Sequence, residues 1–179
     1  MDTRKFAMNY GAVLGLCLML LALLFWALGI DEQQLSSNQP SVIPSILNNV
    51  VIIGFLVYAI SYYRDNLNNG VISYGESLKL GTSVAFFSSV IMALYTFIYI
   101  TYLNPDMLAN IMNMTEQAML DANPEISDQQ LDLALSMTSK FMQPHWMMIM
   151  GMLGGTFMGF LYSLIISIFV KKEDPTLIA

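Results

Sequence analysis

The stretch MQPHWMM, residues 142–148, brings Met142, His145, Met147 and Met148 close together, and ten of the fifteen methionines fall between Met107 and Met152. Thioethers with an imidazole suit Cu(I). The same residues fit plainer work, because methionine fills irregular apolar packing and a histidine beside Trp146 has the composition of a membrane-interface anchor. Packing is the expected role, copper the alternative, and the sequence predicts no resident metal or cofactor. Asp128 and Asp132, four apart, could present two carboxylates on one helix face, but a solvated acidic face accounts for them without chemistry. With one histidine and neither HExxH, nucleophile elbow nor glycine-rich phosphate loop, a conventional triad or a multi-histidine zinc site is excluded. The single cysteine, Cys17, allows no disulfide within the chain and reads as a small buried hydrophobe. The chain is therefore not expected to be an enzyme.

The elements that carry these residues follow from composition. Of 179 residues 56% are hydrophobic and 11% charged, against roughly 25% charged in an ordinary soluble domain. That deficit points to lipid as the solvent. A net charge of -6, without any cluster of Lys and Arg, argues against nucleic acid as a partner. Four stretches reach the roughly 20 apolar residues needed to cross a hydrocarbon core: about 6–30, 42–63, 77–103 and 146–170. The first follows Arg4 and Lys5 but is far longer than the roughly 7 to 15 residues of a signal-peptide core, so it is expected to be retained. The predicted fold class is an all-α polytopic membrane protein: one membrane domain over 1–179, with four transmembrane helices and a two-helix amphipathic extracytoplasmic cap over 104–145.

Six of the seven basic residues, Arg4, Lys5, Arg64, Lys79, Lys171 and Lys172, fall on one side of an even number of spans, and Lys140 alone on the other. Lys and Arg are retained on the cytoplasmic side during insertion. Both termini are therefore expected in the cytoplasm, with the chain in an inner, cytoplasmic membrane. The outer segments then hold eight acids against one base. Within 104–145, Asn104, Pro105 and Asp106 have the pattern of an N-cap, a first-turn proline and an acid at the positive end of a helix dipole. Leu108, Ile111, Met112, Thr115 and Met119 continue at helical spacing. After Asn123 and Pro124, Ser127 and Gln130 make a capping-box pattern, and Leu131, Ala134, Leu135, Thr138, Phe141 and Met142 form a second stripe. The polar faces are acidic, so docking on protein is preferred to lying on lipid.

Gly151, Gly155, Gly159, Ser163 and Ser167 fall at every fourth position of the last span, and Ser77, Gly81, Ala85, Ser89 and Ala93 do the same in the third. The first span has a shorter row, Ala7, Gly11 and Gly15. Helices in lipid associate by close van der Waals contact, which small residues four apart permit. The antiparallel third and fourth spans are expected to pack through these rows within one chain; a dimer interface and a gating face are the alternatives. In the inner turn, Gly70 and Gly75 permit backbone angles closed to other residues, and Glu76 and Lys79 are spaced to pair. No Asp, Glu, Lys, Arg or His lies in the middle third of a span, where a proton or ion pathway usually shows itself.

The run YYRDNLNNGVISYGESLKLG, residues 62–81, the aromatic-rich span after it, YLNPDML at 102–108 and the closing Lys171 and Lys172 resemble the bacterial membrane family known as domain of unknown function 4199. That resemblance implies a four-span inner-membrane protein and brings with it no activity, substrate or site residue. The functional expectation is a non-enzymatic integral membrane scaffold or accessory subunit, its partners the lipid bilayer and a second copy or another membrane protein. The alternative is a small oligomeric channel or permease for a small solute, lined by Thr82, Ser83, Ser88 and Thr96.

Overall fold

The computed structural model describes residues 2–29 and 42–172, so Ile30, Asp31, Glu32 and the acids after Lys172 lie outside the described residues. Six α-helices follow in order: α1 Thr3–Ala27, α2 Val42–Leu67, α3 Tyr74–Ile98, α4 Met107–Ala122, α5 Asp128–Phe141 and α6 Pro144–Val170. Four helical stretches, α1, α2, α3 with its extension to Leu103, and α6, are long and apolar enough to cross a membrane. No strand occurs among the described residues, and the family of amphipathic and apolar periods in the sequence emerges as an all-α chain.

The described residues form two compact units, one drawn from Met1–Met92 and Met152–Ala179, the other from Ala93–Gly151. In the first, α1, α2, α3 and α6 enclose a core that includes Phe6, Leu14, Leu56, Ile60, Leu80, Val84 and Ile166. Aromatic rings tie α1 to α2: Phe6, stacked within α1 on Tyr10 with centroids 4.0 Å apart, meets Tyr63 of α2 edge-on at 5.1 Å. The outward faces of these helices are apolar, with Leu16, Leu20 and Leu24 on α1 and Ile46, Val50 and Ile53 on α2 exposed. In water that would be a liability; in lipid it is the expected surface. Cys17 is also exposed, not buried, because it shares the outward side of α1 with Leu16 and Leu20.

In the second unit, α3 ends in a π-helical turn, Tyr99–Leu103, closed by the Asn104 N–H donating to the Tyr99 carbonyl at 2.8 Å. Asn104 does not cap α4. Its amide side chain reaches Tyr99 Oη at 3.3 Å, and α4 begins three residues later at Met107 with no side-chain cap bond from Asp106. The wider turn uses up the asparagine that the sequence pattern assigns to the next helix. Tyr99, Ile100 and Met107 make a small core with Tyr95, Leu108, Ile111 and Met147 around it. α5 has the capping box formed by Ser127 and Gln130, and it packs on α4. Leu131, Ala134, Leu135 and Thr138 are half-buried, whereas Leu133, Met137 and Phe141 are 60%, 57% and 68% exposed. α6 starts at Pro144, two residues before the predicted boundary, since proline suits the first turn of a helix.

Candidate functional site

Four residues of α3 meet four of α6 in one antiparallel register. Ser167 Oγ donates to Ser77 Oγ at 2.9 Å, with both residues fully buried. One turn further along, Ser163 fills the space beside Gly81, its Cβ 3.0 Å from where a Gly81 Cβ would lie. A methyl on Gly159 would overlap that of Ala85, and Ser89 Cβ stands 3.1 Å from the position of a Gly155 Cβ. The hydroxyls are satisfied on the spot: Ser163 Oγ donates to the Gly159 carbonyl at 2.7 Å, and Ser89 and Thr156 share a hydrogen bond of 2.9 Å. Small residues bring the backbones together, and hydroxyls bond where no water competes. Gly151, expected to extend the row, is exposed, and a side chain there would meet nothing within 4 Å. Neighbouring Gly154 is equally open.

The short row of α1 packs on α3 as well. A Cβ at Gly11 would come within 2.6 Å of both Phe87 Cβ and the Val84 carbonyl oxygen, and one at Gly15 within 2.8 Å of Ile91 Cβ and 3.0 Å of the Ser88 oxygen. Advancing four residues along α1 advances four along α3, so this contact is parallel. Ala7, one turn earlier, is buried. α3 is thus the helix on which two rows of small residues converge, one from each side.

The α2–α3 turn is built around left-handed backbone at Asn69 (φ 53°) and Gly70 (φ 80°). Gly70 N–H donates to the Arg64 carbonyl at 2.8 Å, and Asn68 Nδ2 to the Val71 carbonyl at 2.7 Å. Glu76 does not pair with Lys79. Its Oε2 accepts from the Ser73 N–H and Ser73 Oγ, both at 3.0 Å, while its own N–H donates to Ser73 Oγ at 3.3 Å. This reciprocal cap of α3 is favoured over a solvated pair because it satisfies otherwise orphaned N–H groups; the sequence signal was Ser73 three residues before Glu76. Gly75 is exposed with open space around it. The turn is latched to the end of α6: Ile72 and Lys172 exchange backbone hydrogen bonds of 2.8 and 2.9 Å, and Arg64 Nη1 donates to the Val170 carbonyl at 2.9 Å. Arg64 meanwhile grips Asp65 through Nε and Nη2. Thr3 and Tyr63 join α1 to α2 at the same end with a hydroxyl–hydroxyl bond of 2.8 Å.

Two cavities open at this turn end. One, of about 510 Å³, is lined by Asp2, Thr3, Arg4, Tyr63, Glu76 and Lys79 among others; the second, of about 560 Å³, by Thr82, Ser83, Phe86, Thr156 and Phe160. Arg4, Lys79, Ser83 and Phe87 line both. Of the four hydroxyl residues considered as a channel lining, Thr82 and Ser83 face a cavity, Ser88 is buried beside Gly11 and Gly15, and Thr96 lies in the second unit. Met147 packs on the Tyr99 core, and the exposed His145 ring lies 5.8 Å from that of Trp146. Asp128 and Asp132 are exposed in the first turns of α5. Among the described residues no three of His, Cys, Asp and Glu gather within reach of one ion.

The chain belongs to the family described as Protein of unknown function (DUF4199), which it matches over residues 9–172. Nothing among the curated proteins or the solved structures matches it.

Proposed function

We propose that this member of the DUF4199 family is a non-enzymatic membrane scaffold or accessory subunit, acting through contacts of its helices and of the α4–α5 pair. It lies in an inner, cytoplasmic membrane with both termini in the cytoplasm, and α4 and α5 form an acidic cap on the opposite side. The observation that carries this reading is how the polar groups of the spans are used. Ser77, Ser89, Thr156, Ser163 and Ser167 bond to one another or to helix carbonyls, and no buried side-chain nitrogen or oxygen among the described residues lacks a partner. The Ser77–Ser167 and Ser89–Thr156 bonds join α3 to α6, and polar groups used this way act as glue between helices. The channel alternative expects such groups along a water-filled path.

The orientation rests on the basic residues, six of which flank the α2–α3 turn, the start of α1 and the end of α6. Purified protein in proteoliposomes is expected to give no flux of labelled small solutes above that of empty vesicles. Solute-specific flux would favour the channel reading. A photo-crosslinker at Met137, on the exposed apolar row of α5, is expected to give one discrete protein adduct in native membranes, and adducts to lipid alone would contradict the scaffold role of the cap.

A further inference from the structure

We propose that the turn end of the first unit holds one zwitterionic amino-phospholipid, its phosphate between Arg4 and Lys79 and its acyl chains along α3 and α6. The two cavities there, of about 510 and 560 Å³, meet at Arg4, Lys79, Ser83 and Phe87. Each volume lies in the roughly 300 to 1,000 Å³ range of small-ligand sites. Their linings differ in kind. The first carries both signs of charge, Arg4 and Lys79 with Asp2 and Glu76. The second has the same two cations at its edge, and beyond them the aromatic wall of Phe86, Phe87 and Phe160.

An amphiphile with a charged head and an apolar body fits that sequence of surfaces. Arg4 and Lys79 form no ion pair among the described residues, where the pair is Arg64 with Asp65. Both stand near the start of a span, α1 at Thr3 and α3 at Tyr74, where long basic side chains reach headgroup level. Arginine and lysine are the natural hosts of a phosphate. The carboxylates decide the rest of the head. A purely anionic head would be repelled by Asp2 and Glu76, whereas a primary ammonium is attracted to them. Each acid already has one oxygen engaged, Asp2 Oδ1 by the Arg4 N–H and Glu76 Oε2 by Ser73, and keeps a second for the ammonium. Along the second cavity, Thr82, Ser83 and Thr156 donate to the carbonyls of Leu78, Lys79 and Met152. Their donors are satisfied, so that wall accepts hydrocarbon without an unpaired group.

Native mass spectrometry of the delipidated full chain, titrated with phosphatidylethanolamine, phosphatidylcholine, phosphatidylglycerol or phosphoethanolamine, tests this. One saturable phosphatidylethanolamine adduct is expected, bound about tenfold more tightly than the choline lipid, whose methylated ammonium has no N–H to give the acids, and than the glycerol lipid. Joint Arg4→Gln and Lys79→Gln should weaken it about tenfold or more, whereas Lys5→Gln, an equal loss of charge outside the cavities, should leave it unchanged. Ser83→Phe should expel the lipid with every charge in place. Equal binding of the ethanolamine and choline lipids, tighter binding of phosphatidylglycerol, comparable binding of phosphoethanolamine alone, or an adduct indifferent to Arg4 and Lys79 would each overturn the proposal.

Discussion

Replacing Gly159 by alanine adds one methyl group where the Ala85 methyl already sits. Carbon atoms rest at about 3.5 to 4.0 Å, so α3 and α6 must part locally by roughly an ångström or more. The neighbouring contacts follow, since Gly81 with Ser163 and Ser77 with Ser167 lie within two turns of the same register. At 2.9 Å the Ser77–Ser167 bond has little slack before it leaves hydrogen-bonding range. Overpacking costs about 1 to 3 kcal/mol, and an interhelical hydrogen bond in lipid contributes on average about 0.6 kcal/mol. Helix propensity gives back at most about 1 kcal/mol. The net expectation for Gly159→Ala is a loss of about 0.5 to 2.5 kcal/mol. Gly154→Ala, on the same helix, meets nothing within 4 Å, so only the propensity gain of up to about 1 kcal/mol remains. Denaturant or thermal unfolding of the detergent-solubilised protein should therefore move in opposite directions for the two variants, independent of protein concentration. Equal shifts, or a folded chain that merely changes oligomeric state in Gly159→Ala, would refute an intramolecular seam.

Three further outcomes follow from particular contacts. Glu76→Ala removes the reciprocal cap of α3 and should cost about 0.5 to 2 kcal/mol, with hydrogen exchange rising at residues 73–77, while Glu76→Gln keeps an acceptor and should retain most of the protection. Leu135→Asp, on the half-buried side of α5, should expose α4 and α5 to added protease while the four spans stay inserted; Leu133→Asp, on the exposed side, should not. In a Cys17→Ser background, Gln129→Cys should react with an impermeant thiol reagent added outside cells and Asn68→Cys should not, and the reverse pattern would invert the orientation.

Spans were legible because lipid imposes a length and a composition, and neither depends on tertiary contacts. α1, α2 and α6 accordingly begin or end within a few residues of the predicted boundaries, apart from Ile30, which is not described. Rows of small residues were legible as a period of four, but a period does not say at which steps another side chain stands close. Gly151 keeps the spacing and has open space beside it, whereas Gly155 and Gly159 face Ser89 and Ala85. Nor does the period say which neighbour a row meets: Gly11 and Gly15 turned out to receive α3. Charge spacing misled at Glu76, since three residues apart suits an ion pair with Lys79 and a cap with Ser73 equally well. The turn decided for the cap by leaving Ser73 at the start of α3. The π turn at Tyr99–Leu103 and the reach of Arg64 to Val170 left no local signature, because each is fixed by chain placed far away in sequence or by a register of hydrogen bonds shared with side chains.

The packing of α3 on α6 through small residues is most directly tested in native membranes with two cysteines at one step of the seam. In a Cys17→Ser background, Ser77→Cys combined with Ser167→Cys places two thiols where the hydroxyls now lie 2.9 Å apart, within reach of a disulfide after small adjustment. Mild oxidation is expected to give a reducible crosslink within one chain, running as a monomer, and none when Ser77→Cys is combined with Ile165→Cys on the exposed side of α6. Crosslinked dimers in place of monomers, or equal crosslinking of both pairs, would contradict the seam.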